Sequence, residues 1–127
     1  MSQIICADHA PAALGPYSHA VWAGNLLFTS GQIGIVPETG ALAAPEVEAQ
    51  THQVFQNLKA VLTAAELTLS DVVKTTVFLT DMGDFAAVNK IYGTYFSENP
   101  PARSCIQVAA LPAGAKIEIE VIAEKSN

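Results

Sequence analysis

Apolar and polar residues alternate near both ends of the chain, while a 3.6-residue period governs much of the middle. Ile4, Ile5 and Cys6 predict a short first strand. The two prolines and the glycine of the stretch from Ala10 to Pro16 exclude regular structure there. From Tyr17 to Trp22 the alternation predicts a strand, Gly24-Asn25 a turn, and Leu26 to Ser30 the returning strand of a hairpin. Pro37-Glu38-Thr39-Gly40 predicts another turn.

From about Pro45 to Glu66 the period lengthens. Val47, Val54, Phe55, Leu58, Val61, Leu62 and Ala65 fall on one helical stripe, opposite Gln50, Gln53, Gln56, Asn57 and Lys59. Pro45 suits a first helical turn, and Glu46 and Glu48 suit the positive end of its dipole. Val72 to Thr80 is β-branched and apolar, as in an interior strand. Asp81 or Asp84 is placed to cap a second helix, in which Phe85, Val88, Tyr92 and Phe96 recur at helical spacing and which Asn99-Pro100-Pro101 ends. Two alternating stretches follow, Pro101–Val108 and Ala115–Val121, with a turn signal at Leu111–Gly114. They predict a closing hairpin. With an even loop, Arg103 and Cys105 would share a face with Glu118 and Glu120. The order of elements predicts an α+β fold: one mixed sheet with two helices packed on one face, its other face left for contact between subunits.

Composition adds to this picture. The 127 residues suit a single domain spanning residues 1–127. Half the residues are hydrophobic and only 14% are charged, against about 25% in an average soluble domain. That imbalance predicts a homo-oligomer, in which copies cover one another's apolar surface. The formal charge of −6 and the lack of a basic stripe argue against a nucleic-acid partner. The N-terminal residues from Met1 to Asp8 do not read as a signal peptide, and no run of eighteen apolar residues predicts a membrane span. The two cysteines, Cys6 and Cys105, are too few for a disulfide framework and suit the reducing cytoplasm.

The candidate chemistry sits in the last two stretches, where one guanidinium and one or two carboxylates stand out in a chain poor in charge. Taken alone, Arg103 and a facing glutamate suit a cross-strand ion pair as well as a site. The thiol of Cys105 reads as a small buried hydrophobe and Glu120 as a rim carboxylate. Tyr17 and Asn89 suit packing or capping as readily as binding. His9, His19 and His52 have no partners at metal-ligand spacing and read as non-catalytic, and no metal site is expected.

Several stretches then tip the balance. Gly15–Ser18, Thr29–Ile33, Pro37–Gly40, Val73–Val77, Pro101–Ser104 and Lys116–Glu120 resemble, in order, the motifs of the RidA (YjgF) family of imine deaminases, over about residues 4 to 124. The resemblance implies a chorismate-mutase-like fold and a homotrimer with active sites between subunits. It also implies cofactor-free hydrolysis of 2-iminobutanoate and 2-iminopropanoate to 2-oxo acids and ammonia. By the same resemblance Arg103 binds the substrate carboxylate and Glu118 positions water. Tyr17, Ser30, Gly31, Asn89 and Cys105 complete the binding set, Gly31 and Cys105 through their backbone. The link before Pro101 is shorter than in many relatives, with Pro100 where an aromatic residue often stands, which bears on the pocket rim. Two other functions are weighed: a non-catalytic module that binds 2-oxo acids, and a ribonuclease or translation inhibitor, which the acidic charge disfavours.

Overall fold

The structure is a computed structural model that describes residues 3–126. Met1, Ser2 and Asn127, the ends of the span read as one domain, lie outside the described residues. The strands are β1 (Ile4–Ile5), β2 (Ala20–Ala23), β3 (Leu26–Thr29), β4 (Gln32–Ile33), β5 (Val72–Leu79), β6 (Ala102–Gln107) and β7 (Ile117–Glu124). The two α-helices are α1 (Val47–Ala64) and α2 (Phe85–Tyr95). All seven strands form one sheet in the order β1-β2-β3-β7-β5-β6, with β4 also paired to β7. Among the described residues only the β5–β6 pair is parallel. The expected α+β architecture is the one observed, with both helices on a single mixed sheet.

The closing hairpin is not. Strand β5 lies between β6 and β7, bonded in parallel to the first and antiparallel to the second. The cause is α2: a strand, a covering helix and a further strand form a crossover unit, which brings the second strand back parallel to the first. The loop after β6 then carries the chain across β5 to its far side. Interleaving also changes the faces. Thr75 stands opposite both Arg103 and Val121, and Val77 opposite both Cys105 and Ile119. Arg103 and Cys105 therefore belong to the helix-covered face. Glu118 and Glu120, opposite Phe78 and Thr76, belong to the open face.

The core fills the space between sheet and helices. Leu27, Val77, Leu79, Ile117, Ile119, Val121 and Ala123 meet Val54, Phe55, Leu58, Val61 and Leu62 of α1, all nearly inaccessible to water. Each fully buried side chain of this size contributes about 1.5–3 kcal/mol through the apolar surface it removes from water. Phe55 stacks on Tyr95 with ring centroids 4.2 Å apart and meets Tyr92 and Phe96 edge-on, joining the helices.

Two polar residues expected on the solvent side of α1 are instead buried. The Gln50 amide donates to the carbonyls of Ala44 and Pro45 and accepts from the Lys116 N–H. The Asn57 amide donates to the carbonyls of Ile33 and Ile35. Gln50 satisfies backbone groups just before α1 and β7, and Asn57 those of β4 and the residue two beyond it, which makes their burial tolerable. Asn57 thereby fixes β4 against α1. The second strand also starts later than its alternation suggests, at Ala20, because Tyr17 to His19 serve the loop before it.

Candidate active site

The chain makes two separate groups of candidate residues, one on each face of the sheet. The first is a cleft of about 600 Å³ on the open side, lined by Pro11, Leu14, Tyr17, Ser30, Gly31, Ile33, Glu118 and Glu120, among others. A local irregularity opens it. Strand β7 pairs with β3 as far as Phe28–Ile122 and with β4 from Gln32–Ile119. From Phe28 to Gln32 is four steps, from Ile122 to Ile119 three, so the chain bulges at Thr29–Gly31. Within the bulge the Thr29 hydroxyl accepts the Val121 N–H at 3.0 Å, replacing a backbone bond of the ladder. Ser30 turns the other way: its hydroxyl donates to the Ser18 carbonyl at 2.6 Å and its N–H to the His19 carbonyl at 2.9 Å.

The carboxylate of Glu118 rests over Gly31. A Cβ there would stand 2.6 Å from the Glu118 carboxyl carbon, closer than any real contact allows, so the carboxylate can hold this place only over a glycine. Burial pushes the Glu118 carboxyl above the ordinary carboxylate range, and the charge of Glu120 adds to the shift. A carboxylate so placed is a stronger proton acceptor than one in water. Ile33, directly opposite Glu118 across the strand pair, and the half-exposed Tyr17 give the cleft apolar walls.

The second group lies beside α2 on the edge strand β6. Arg103 is exposed and donates from Nη1 to Oδ1 of Asn89 at 2.8 Å. Its guanidinium carbon lies 4.7 Å from the centroid of Tyr92 and 5.4 Å from that of Phe85. Tyr92 is itself anchored, its hydroxyl bonded to that of buried Thr75 at 2.8 Å, and Thr75 is the strand partner of Arg103. Helix and sheet together thus hold the guanidinium in one orientation, with N–H donors left for a planar carboxylate. Cys105, two residues along the same face, is partly buried; that burial pushes its thiol above the usual range, against a smaller opposing effect of Arg103. As the sheet edge, β6 has its only strand partner on one side, and backbone groups on the other side are open.

Of the residues singled out from the sequence, Tyr17, Ser30, Gly31 and Glu118 meet in the cleft, and Arg103, Asn89 and Cys105 meet at the edge. The structure does not bring the two sets together within one chain, and Arg103 and Glu118 do not share the face expected of them. Sequence reading missed the Tyr92 and Phe85 platform, although the helical spacing of both was visible. It also missed Thr29 as a ladder substitute. Among the described residues no three His, Cys, Asp or Glu side chains are grouped to hold a metal ion, and no helix is long and apolar enough to cross a membrane.

Comparison with known proteins places the chain in a known class. It matches the family described as endoribonuclease L-PSP over residues 7–125, and it belongs to that family, also called YjgF/RidA. It is 51% identical over 126 residues to the 2-iminobutanoate/2-iminopropanoate deaminase of Salmonella typhimurium, covering 97% of this chain and 98% of that one. Among solved structures, RidA from an Antarctic Psychrobacter species superposes with a TM-score of 0.93 at 50% identity, covering 97% of this chain and 99% of that one. Escherichia coli TdcF, solved with bound serine, superposes with a TM-score of 0.93 at 45% identity, covering 98% of this chain and 99% of that one.

Proposed function

We propose that this protein is a cofactor-free imine deaminase, hydrolysing small 2-imino acids such as 2-iminobutanoate and 2-iminopropanoate to the 2-oxo acid and ammonia. The reading is carried by the 51% identity, end to end, to a relative named for that activity. The two half-sites suit it, provided that they come from different copies. We further propose a homotrimer in which the edge strand of one copy brings Arg103, Asn89 and Cys105 against the cleft of the next. The exposed edge of β6 and the low share of charged residues, 14%, support association. A lone chain would not run the reaction.

In the assembled site Arg103 grips the substrate carboxylate with paired hydrogen bonds, and Asn89 keeps the guanidinium turned toward it. The C=N carbon is then fixed beside Glu118. Glu118 takes a proton from a water molecule as its oxygen attacks that carbon, giving a tetrahedral amino alcohol. Glu118 passes that proton to the nitrogen and takes back the hydroxyl proton as the C–N bond breaks, ammonia leaves and the C=O bond forms. Ser30 and the backbones of Gly31 and Cys105 complete the polar contacts, and Tyr17 closes one wall. Small 2-imino acids are the partners; neither nucleic acid nor membrane is among them. We assign the protein to the cytoplasm, a reading that two free cysteines, one of them exposed, support.

The test is to generate 2-iminobutanoate in situ and follow its loss. The wild type should accelerate it, and Arg103→Ala should slow the catalysed reaction at least about a hundredfold by removing orientation as well as affinity. Unaltered decay with the wild type, or full activity in the variant, would overturn the assignment. Saturable binding of 2-oxobutanoate without turnover would make the protein a metabolite-binding module instead. RNA cleavage that requires Glu118 would support the activity in the family's description.

A further inference from the structure

The cleft owes part of its shape to a residue that does not itself line it. Its rim, Pro11 to Tyr17, is irregular chain exposed along most of its length. The rim's own hydrogen bonds are few: the Leu14 N–H donates to the Tyr17 hydroxyl at 3.2 Å, and the Tyr17 N–H to the Gly15 carbonyl at 2.9 Å. His19 lies beneath it, 5% exposed. Its Nδ1 accepts the Ala7 N–H at 2.8 Å, and its Nε2 lies 2.7 Å from the Pro11 carbonyl oxygen. A backbone N–H can only donate and a carbonyl can only accept, so the ring is neutral and carries its hydrogen on Nε2. The backbone of the same residue faces the other way: its carbonyl receives the Ser30 N–H, and that of Ser18 receives the Ser30 hydroxyl.

We propose that His19 is a positioning residue for this site, tying the rim segment that carries Tyr17 to the Ser30–Gly31 bulge over which Glu118 rests. One residue thus joins the segment before the rim and the rim's first residue through its ring, and the bulge at the rim's base through its backbone. Removing the ring strands the buried Ala7 N–H and frees the Pro11 carbonyl. The rim then samples positions in which Tyr17 no longer closes the cleft, while Arg103 and Glu118 stay as they were. The catalytic consequence rests on the deaminase reading; the mechanical one does not.

Three variants and one spectrum test this. In His19→Ala, hydrogen exchange at the Leu14 and Tyr17 amides should quicken. KM for 2-iminobutanoate should rise about tenfold with kcat held within about threefold, as expected when binding alone is lost. His19→Gln, whose amide can both accept and donate, should restore slow exchange and most of the affinity. His52→Ala, an exposed histidine elsewhere on the protein, should change neither. Nitrogen-15 NMR of the wild type should find His19 as the neutral Nε2–H form at neutral pH, whether or not any variant folds. Unchanged rim exchange in His19→Ala, a loss confined to kcat, or a ring protonated on Nδ1 would overturn the proposal. If the wild type shows no deaminase activity, the exchange and NMR results decide the mechanical part by themselves.

Discussion

Because Arg103 and Glu118 lie on opposite faces of one chain, damage to either should be repairable by a neighbour. Take two variants, Arg103→Ala and Glu118→Gln. The first loses two charge-assisted hydrogen bonds to the substrate carboxylate, each worth about 1.5–3 kcal/mol. Together these come to about 3–6 kcal/mol, which at 1.4 kcal/mol per tenfold is at least about a hundredfold in kcat/KM. Glu118→Gln removes the proton acceptor and should cost about as much or more, within the hundred- to ten-thousandfold typical of a positioned base. Each purified variant should therefore be almost inert. When they are unfolded together in equal amounts and refolded, a working site needs its guanidinium from a Glu118→Gln chain and its carboxylate from an Arg103→Ala chain. Random assembly meets both conditions at about one site in four, so about a quarter of wild-type activity should return. Native mass spectrometry of differently tagged chains would verify the mixing. Mixed oligomers no more active than their parents would refute the shared site.

Two further expectations concern the cleft. The raised titration of Glu118 means that folding is penalised once this group ionises. An unfolded glutamate deprotonates near pH 4.3, so as pH rises from there the unfolded chain ionises first, and this contribution to stability declines until the folded group has titrated too. Glu118→Gln should accordingly unfold at a higher temperature than the wild type at neutral pH and at nearly the same temperature near pH 4; a neutral-pH midpoint at or below that of the wild type would contradict the assigned burial. Gly31→Ala would set a methyl group against the Glu118 carboxyl, which is the mobile end of a side chain and can swing away. Its melting temperature should change little while kcat drops about a hundredfold, the usual consequence of misplacing a reacting group by about 1 Å; unaltered turnover would show that the carboxylate need not rest over Gly31.

Much of the architecture was legible in residue order. The apolar stripe of α1, the β-branched interior strand β5 and the Gly24–Asn25 turn all stand where periodicity puts them, because each reflects local backbone geometry. Gly24 adopts the left-handed φ of +62° that such a two-residue turn needs at its first position. Pairing was not legible in the same way. Adjacent stretches with a turn between them read as a hairpin, yet β5, placed nearly thirty residues earlier, takes the slot between β6 and β7. Nothing in the alternation of either stretch distinguishes a sequence neighbour from an inserted strand, and that one error put Arg103 on the face of Glu118. Gln50 and Asn57 were misread for another reason. Polarity suggests solvent, whereas their amides answer backbone groups of segments distant or irregular in sequence, a demand that exists only once the fold has formed. The catalytic candidates themselves were found by likeness of motif, and their separation into two half-sites by the sheet register.

The position of β7 also bears on how the protein is made. Of the described strands it is the last to leave the ribosome, yet it stands between the β1-β2-β3 group and the β5-β6 pair and alone among them bonds with both. Until residues 117–124 emerge, the nascent chain holds two half-sheets with no ladder to join them, and Leu27 and Val77 have no Ile119 or Ala123 alongside. Completion of the sheet should thus be a late, nearly all-at-once event. A chain ending just before Ile117 would lack the middle of its sheet rather than a peripheral piece.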